Sequence, residues 1–586
     1  MSNSRDIPVQ PHVVTAAEVV PGDLLALREK DVTEHTWYVV THTLPETPET
    51  IRMTLRPPLG GTDHDEVLGR ASAVTVGSRR MNVQEIPLVT SSDLGSVEFH
   101  EGDRVTSLRV VDPAAEAESH TRRWGLWHRD LDQPGERPLT DDEMRSLAER
   151  AGGRECVVRH HPRPKQRPDA HAPRRVVVTG VGAVTPLGVG VDALWQGLSE
   201  GRCGIRELEG EEFAGLPVRV AGTVPVDPAE VLPRPQARRM NRAAQFAVIA
   251  AREAWQDAGF DASGTDGSGL DPERVGVSVG AILGDASVLV GGDRKLRDKG
   301  ARAVSPLTTP MTVPSQAASQ VSLDLHITGE ARTVTSACAS GTEAIGQAID
   351  RIRLGRVDVA VAGGAEAVVT PAIMASFAAM RALSAHGLDA GTPSRPFAKD
   401  RDGFVNGEGA GFLILESEEH ARARGARIYC EAAGWGLSAD AHHMAAPDPS
   451  GRGVALALRR AVQDAGAHAV DVVHVNAHAT ATVDGDLAEA TALRTVLGDG
   501  VPVTALKGSL GHLQGAAGGV EAVAAVLTLH HGVIPPTMGC AEQDDAIGLD
   551  VVTDTPRALP TAGDLALSNS FGFGGHNAVL ALRRTA

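Results

Sequence analysis

The sequence predicts a layered α/β protein preceded by a small β-rich domain, and three observations carry that expectation. Short apolar runs at 176–178, 275–279, 357–362 and 472–475 read as buried strands separated by Ala-rich helical segments. Strands alternating with helices predict sheets covered by helices. The first 158 residues follow a different pattern, in which Ile51, Met53 and Leu55 alternate with Arg52, Thr54 and Arg56 as in a half-buried strand. Between the two lies Arg159-His160-His161-Pro162-Arg163-Pro164-Lys165-Gln166-Arg167-Pro168, continuing to Pro173, with almost nothing to bury. Residues 159–173 therefore read as an extended linker rather than a nucleic-acid-binding arm.

Within residues 1–158, Pro21-Gly22-Asp23 and Gly60-Gly61-Thr62-Asp63 are turn signals. Trp37, Trp124 and Trp127 are candidate anchors of a core or interface. One helix is marked near the end, with a capping box at Thr140 and Glu143, a staple of Leu139 and Met144, and a stop at Gly152. No catalytic constellation occurs here, so this segment is expected to be an accessory or docking domain of unknown function.

The bulk composition narrows the function. Of the 586 residues, 42% are hydrophobic and 22% charged, as in a soluble globular protein. No apolar run is long enough to span a bilayer, and the N-terminus lacks the apolar core of a secretory signal, so a cytoplasmic protein without a membrane partner is expected. A net charge of −18 argues against nucleic acid as the main partner. Five scattered cysteines without a CxxC pair support neither a zinc ribbon nor a disulfide framework.

After the linker, a strand at 176–178 ends in Gly180 and Gly182, and a helical segment follows at 192–198. Strands 176–178 and 472–475 each run into a loop of small residues, a faint sign of two repeated halves. The stretch Thr335-Ser336-Ala337-Cys338-Ala339-Ser340-Gly341 places a cysteine among small residues on a strand-to-helix turn. Unpaired N–H groups and the positive helix end are expected to favour a thiolate there. A thiolate could hold an acyl group as a thioester, although on the turn alone a buried structural cysteine is an equal reading. The following helix puts Ile345, Ala348, Ile349 and Ile352 on one buried face.

Two histidines stand out among 22. His478 lies in Asn476-Ala477-His478-Ala479-Thr480-Ala481-Thr482, just after a buried strand, and His512 lies in Lys507-Gly508-Ser509-Leu510-Gly511-His512-Leu513-Gln514-Gly515, before an apolar helix at 520–529. A third glycine-rich segment, Asn569-Ser570-Phe571-Gly572-Phe573-Gly574-Gly575-His576-Asn577, could bring backbone N–H groups to a ligand.

Taken together with Val361-Ala362-Gly363-Gly364-Ala365-Glu366, Arg395-Pro396-Phe397 and Arg401-Asp402-Gly403-Phe404-Val405-Asn406-Gly407-Glu408-Gly409, these segments resemble an elongating β-ketoacyl-acyl-carrier-protein synthase. The resemblance covers residues 174 to about 584; none is seen for residues 1–158. It implies a thiolase fold with two duplicated halves in an α/β/α/β/α layering: residues 174–425 with Cys338, and residues 426–586 with His478 and His512. It further implies that Cys338 accepts the acyl group and that the two histidines serve the malonyl site. Lys507 and Glu521 would form a supporting ion pair that orients His512. Thr480 and Thr482 would contact the phosphopantetheine arm, and Phe573 would gate the site and supply an oxyanion N–H. Asp440 would lie on a loop that moves with that gate. The implied reaction is decarboxylative condensation of malonyl carrier protein with an acyl group, in fatty-acid-like or type II polyketide synthesis. It needs no cofactor and no metal. The implied partners are acyl carrier protein and a second subunit, either an identical copy or a ketosynthase-like one. Arg238, Arg239 and Arg242, on a helix expected near Pro235, are candidates for carrier docking, against the reading of a solvated or dimer-facing stretch.

Departures from the family pattern are Ala479, Ala445, Glu330 in the turn before the elbow strand, and Ser315-Gln316, which put the acyl pocket or dimer contact in question. One other reading uses the same residues, an acyltransferase or decarboxylase that does not elongate; another rests on residues 1–158 alone and makes the chain a scaffold subunit docking partners through them.

Overall fold

The computed structural model describes residues 174–265, 270–388 and 391–585 in full, together with the backbone of the strands between residues 12 and 158. The chain divides into two units, Met1–Ala170 and His171–Ala586. In the first, the described strands form two six-stranded sheets, and the alternation at 51–56 falls on strand Thr50–Arg56. The helix expected from Thr140 and Glu143, the linker at 159–173 and Trp124 lie outside the described residues.

In the second unit, ten strands make the frame: β1 (Val176–Thr185), β2 (Val275–Gly280), β3 (Glu330–Val334), β4 (Val359–Ala367), β5 (Glu408–Ser417), β6 (Cys430–Ala439), β7 (Val472–Asn476), β8 (Pro502–Thr504), β9 (Leu565–Gly572) and β10 (His576–Arg584). Their hydrogen-bonded order is β3-β2-β4-β5-β1-β6-β10-β9-β7-β8. The sheet is mixed: β2 runs parallel to β3 and β4, and β7 parallel to β8 and β9, while β5 pairs antiparallel with β1 and β4. Numbered within each half, both halves read 3-2-4-5-1.

Strands β1 and β6 meet through Val177–Glu431 and Val178–Cys430, and this short antiparallel contact joins all these strands into one sheet.

Five helices cover this frame: α1 (Arg242–Asp257), α2 (Ser340–Arg353), α3 (Arg452–Asp464), α4 (Val483–Leu497) and α5 (Ala517–His531). Between Ala517 and Leu529 helix α5 is small or apolar apart from Glu521 and Thr528, and this whole stretch is buried, as such a composition requires. It shares one core with the Ile345, Ala348, Ile349 and Ile352 face of α2. Helix α1 packs through Phe246 and Ala250 into a second core with Val277 and Phe412, and α3 packs into a third with Val475 and Val579.

Close backbone approach explains the glycines of β5 and α5. A Cβ on Gly411 would lie 2.4 Å from the Val520 nitrogen, and one on Gly519 would lie 2.4 Å from the Gly411 oxygen. Only glycine at both places lets α5 seat directly on β5.

Glu330, expected in the turn, is instead the first residue of β3, where it pairs with Arg351 from the last turn of α2. The charge pair ties the elbow helix to the strand that precedes it. Among the described residues, no helix is long and apolar enough to cross a membrane.

Candidate active site

Cys338 sits between β3 and α2 on a sharp elbow. Ala337 takes a left-handed conformation (φ 50°), which a residue with a Cβ adopts only when its surroundings hold it there. Ser340 supplies that hold: its Oγ accepts the Ser336 N–H (2.9 Å) and donates to the Ala337 carbonyl (2.5 Å). Small residues at 336–341 leave room for this bond and for α2 to start at once.

The charge state differs from the sequence expectation. Burial pushes the Cys338 thiol up to about 11, against the pull of Lys507 and of the backbone N–H groups of Phe573 and Cys338 itself. The helix end does not outweigh desolvation, so the resting group is a thiol. Its proton has an acceptor at hand, because His512 Nε2 lies 3.0 Å from Cys338 Sγ.

The structure brings His478 and His512 together with their ring centroids 5.3 Å apart and nearly perpendicular. Both are buried, and both imidazoles are held well below the ordinary histidine range, first by burial and then by the charge of Lys507. They are therefore neutral, and a neutral imidazole can donate one N–H and accept at its other nitrogen.

Lys507 and Glu521 form a buried ion pair, each almost wholly excluded from solvent. Burial raises the Glu521 carboxyl, and Lys507 pulls it back. Among the described residues the pair makes no hydrogen bond to the His512 ring. What positions His512 is backbone: its N–H donates to the Val405 carbonyl (2.7 Å), its carbonyl accepts from Gly407 N–H (2.9 Å), and the Phe404 ring meets the imidazole edge-on at 5.5 Å.

His478 follows β7, and Glu489 on α4 holds its loop. The Glu489 carboxylate accepts the N–H groups of His478 (2.9 Å) and Ala479 (2.8 Å) and the amide of Asn569 (2.9 Å). Asp486, one turn earlier on the same helix face, accepts the N–H of Ala481 (3.1 Å) and of Phe397 (2.8 Å). Arg401 donates to the carbonyls of Thr482 (3.4 Å) and Val483 (3.1 Å). Sequence reasoning did not single out these three residues. The i, i+3 spacing of Asp486 and Glu489 behind the histidine loop was the available signal.

Thr480 and Thr482 line the entrance with their hydroxyls 3.0 Å apart. Phe573 lies in the short turn Phe573–Gly575, with its ring 37% exposed at the mouth and its N–H directed at the Cys338 sulfur. Asp440 ties that turn to the loop after β6: its carboxylate accepts from Asn577 (2.7 Å) and from Asp448 N–H (3.1 Å), and its own N–H donates to Gly575 (2.9 Å). Cys338, His478, His512, Thr480, Thr482 and Phe573 surround one cavity of ≈440 Å³.

The other expectations are placed elsewhere. Arg238 and Arg239 are exposed at the end of a four-residue helix, Arg234–Ala237. Arg242 does not share that helix; it begins α1, where Asn241 caps the N-terminus. Its guanidinium is held in a two-pronged pair with Glu408 (2.9 and 2.6 Å). Gln316 does not line the cavity; its amide accepts from Asn241 N–H (2.9 Å) and donates to the Arg239 carbonyl (3.2 Å). Ala445 and Ala479 do line it.

Comparison with known proteins identifies the family. Residues 173–421 match the Beta-ketoacyl synthase N-terminal domain and residues 429–541 its C-terminal domain. The chain is 40% identical over 415 residues to the 3-oxoacyl-[acyl-carrier-protein] synthase 2 of Staphylococcus aureus (strain N315), covering 70% of this chain and 98% of that one. Among solved structures, it is similar to the ishigamide ketosynthase/chain length factor (36% identity, TM-score 0.65, 71% of this chain and all of the other). It is also similar to a structure described as a type II PKS acyl-carrier protein in complex with its ketosynthase bound to the hexaketide (34%, TM-score 0.64, 71% and all).

Proposed function

The chain belongs to the β-ketoacyl synthase family, an acyltransferase family that makes 3-oxoacyl carrier proteins by condensation in fatty-acid or type II polyketide synthesis, and on that premise we propose how its residues divide the work. The observation that carries the proposal is the 3.0 Å contact between Cys338 Sγ and His512 Nε2, beside a second neutral imidazole and two N–H groups aimed at the sulfur.

In acylation, the Cys338 proton passes to His512 Nε2 as the sulfur attacks the carrier thioester. The tetrahedral oxyanion is held by the N–H groups of Phe573 and Cys338. Collapse expels the carrier's thiolate, which takes the proton from His512. Malonyl carrier protein then enters past Thr480 and Thr482 and loses carbon dioxide, and His478 and His512 each donate an N–H to the enolate oxygen. Removing one such donor typically costs about 3–4 kcal/mol. The enolate carbon attacks the acyl thioester and expels the Cys338 thiolate, which takes up one proton. His512 must accept in the first half-reaction and donate in the second. Its Nδ1 has no hydrogen-bond partner among the described residues, so nothing pins either tautomer.

The shared 3-2-4-5-1 strand order supports reading residues 174–425 and 426–586 as duplicated halves in a layered thiolase arrangement. We place the reaction in the cytoplasm, in keeping with the unpaired thiols of Cys203, Cys338, Cys430 and Cys540. The natural substrates are taken to be carried on acyl carrier protein, and the active form to pair two ketosynthase-fold subunits, identical or related; the similar structures are a ketosynthase/chain length factor and a ketosynthase in complex with its acyl-carrier protein. Incubation with acyl and malonyl carrier proteins should yield a 3-oxoacyl product two carbons longer. Acyl transfer without that product would favour the non-elongating reading.

For docking, we retain only the exposed pair Arg238 and Arg239. Reversing both charges to Glu should raise KM for the acidic carrier several-fold and flatten its salt dependence, with kcat little changed. A fixed KM removes the patch from the carrier's path. For residues 1–158 we propose an accessory docking role through a β-rich domain. Deleting residues 1–170 should leave turnover of carrier-free thioesters intact while association with a partner protein is lost; collapse of that turnover would assign the segment to the enzyme core.

A further inference from the structure

We propose that the Gln514 side chain selects, for transfer to Cys338, acyl groups that carry a hydroxyl or keto oxygen on their third carbon. The inference rests on the acyl-Cys338 reading above and goes on to name the substrate class.

Gln514 is 5% exposed, lines the same cavity, and sets its Oε1 3.6 Å from Cys338 Sγ. Its amide orientation follows from the chain of bonds behind it. Asn406, wholly buried, turns its Nδ2 toward the Val368 carbonyl (3.4 Å) and the Met374 sulfur (3.6 Å), which leaves Asn406 Oδ1 as an acceptor. Gln514 Nε2 donates to that oxygen at 3.0 Å, so Gln514 Oε1 is the atom that faces the nucleophile.

The backbone fixes this arrangement. Gln514 adopts φ 52° at the start of the turn Gln514–Ala516, a left-handed conformation that a glutamine holds only under constraint. The next position takes only glycine, because a Cβ on Gly515 would meet Glu366 Oε2 at 2.6 Å.

Acylation changes what this amide faces. The thiol hydrogen is gone, and Oε1 and the second Nε2 hydrogen are left beside the chain. We take the thioester carbonyl to turn toward the Phe573 and Cys338 N–H groups and the chain to run past the amide, so that an oxygen on the third carbon comes within its reach. A methylene there leaves buried polar atoms unpaired, whereas a hydroxyl can donate to Oε1 and a keto oxygen can accept from Nε2. Sites built to hydrogen-bond a substrate oxygen discriminate strongly against the analogue that lacks it.

The test compares acylation of Cys338 by butyryl, 3-hydroxybutyryl and acetoacetyl pantetheine thioesters, followed by intact-protein mass spectrometry. The oxygenated groups should load at least about 10-fold faster than butyryl. Gln514→Leu should erase that preference and speed butyryl loading. Asn406→Leu, which frees the amide to rotate, should weaken the preference while leaving Gln514 in place, and it decides the matter alone if the first variant does not fold. Butyryl loading as fast as the oxygenated groups, or a preference that survives these changes, overturns the proposal while the acyl-Cys338 reading stands. No loading by any of the three overturns that reading, and the proposal with it.

Discussion

Cys338→Ala should abolish 3-oxoacyl product, with a loss of about 10⁴-fold or more in turnover, while decarboxylation of malonyl carrier protein continues. The magnitude follows from removing a nucleophile that nothing else in the cavity replaces. Continued decarboxylation follows from the proposed roles: the enolate would be held by His478 and His512, whose loops are anchored by Glu489 and by the 405–407 backbone and not by the sulfur. Product measured by mass spectrometry and released carbon dioxide separate the two half-reactions. Condensation within tenfold of wild type would remove Cys338 from the mechanism. Because the thiol is pushed up to about 11, its alkylation by iodoacetamide should accelerate as pH rises through 8 to 10, without the plateau near neutrality that a low thiol pKa would give.

Lys507→Met carries the second large effect, on stability and on charge control together. Glu521 would be left buried without its partner, and breaking such a pair costs about 3–5 kcal/mol. Burial already raises the folded-state carboxyl, and losing Lys507 raises it further. A carboxyl with a raised folded pKa favours folding at low pH, where it is protonated, and disfavours it as pH rises and the buried charge must form. The deficit in urea denaturation should therefore be small near pH 5 and largest above pH 8. Lys507→Met with Glu521→Gln should recover much of the stability. It should not recover the activity profile: without the lysine charge both imidazoles regain basicity, so the acid limb of turnover should move to higher pH. A profile that stays put in the double variant would show that the pair serves folding alone.

Much of the site was legible because its motifs are contiguous. A cysteine among small residues, a histidine after a buried strand, and a glycine-rich turn each state their local geometry within about ten residues. The element pattern was legible for the same reason, since strands 275–279 and 472–475 and the α2 face depend on short-range periodicity. What eluded the sequence depends on partners far along the chain. Arg242 looked like a free surface cation until the fold placed Glu408, 166 residues later, against its guanidinium. Glu489 and Asp486 matter because α4 folds back beneath the loop it follows. The joining of the two halves into one sheet rests on a two-residue contact that no pattern marks.

The sequence by itself determined the order of motifs that places the chain in its family, and it named the candidates: Cys338 on its elbow, His478 and His512, and the Lys507–Glu521 pair. Only the tertiary structure decided the state in which each one works. Burial keeps the sulfur a thiol and both imidazoles neutral, overriding the helix end expected to make a thiolate. The tertiary structure also brought Asn406 to Gln514 across 108 residues. The physical reason is the same in both cases. Desolvation and hydrogen-bond pairing are set by whatever packs around a group, and those neighbours are assembled from the whole chain rather than from its local sequence.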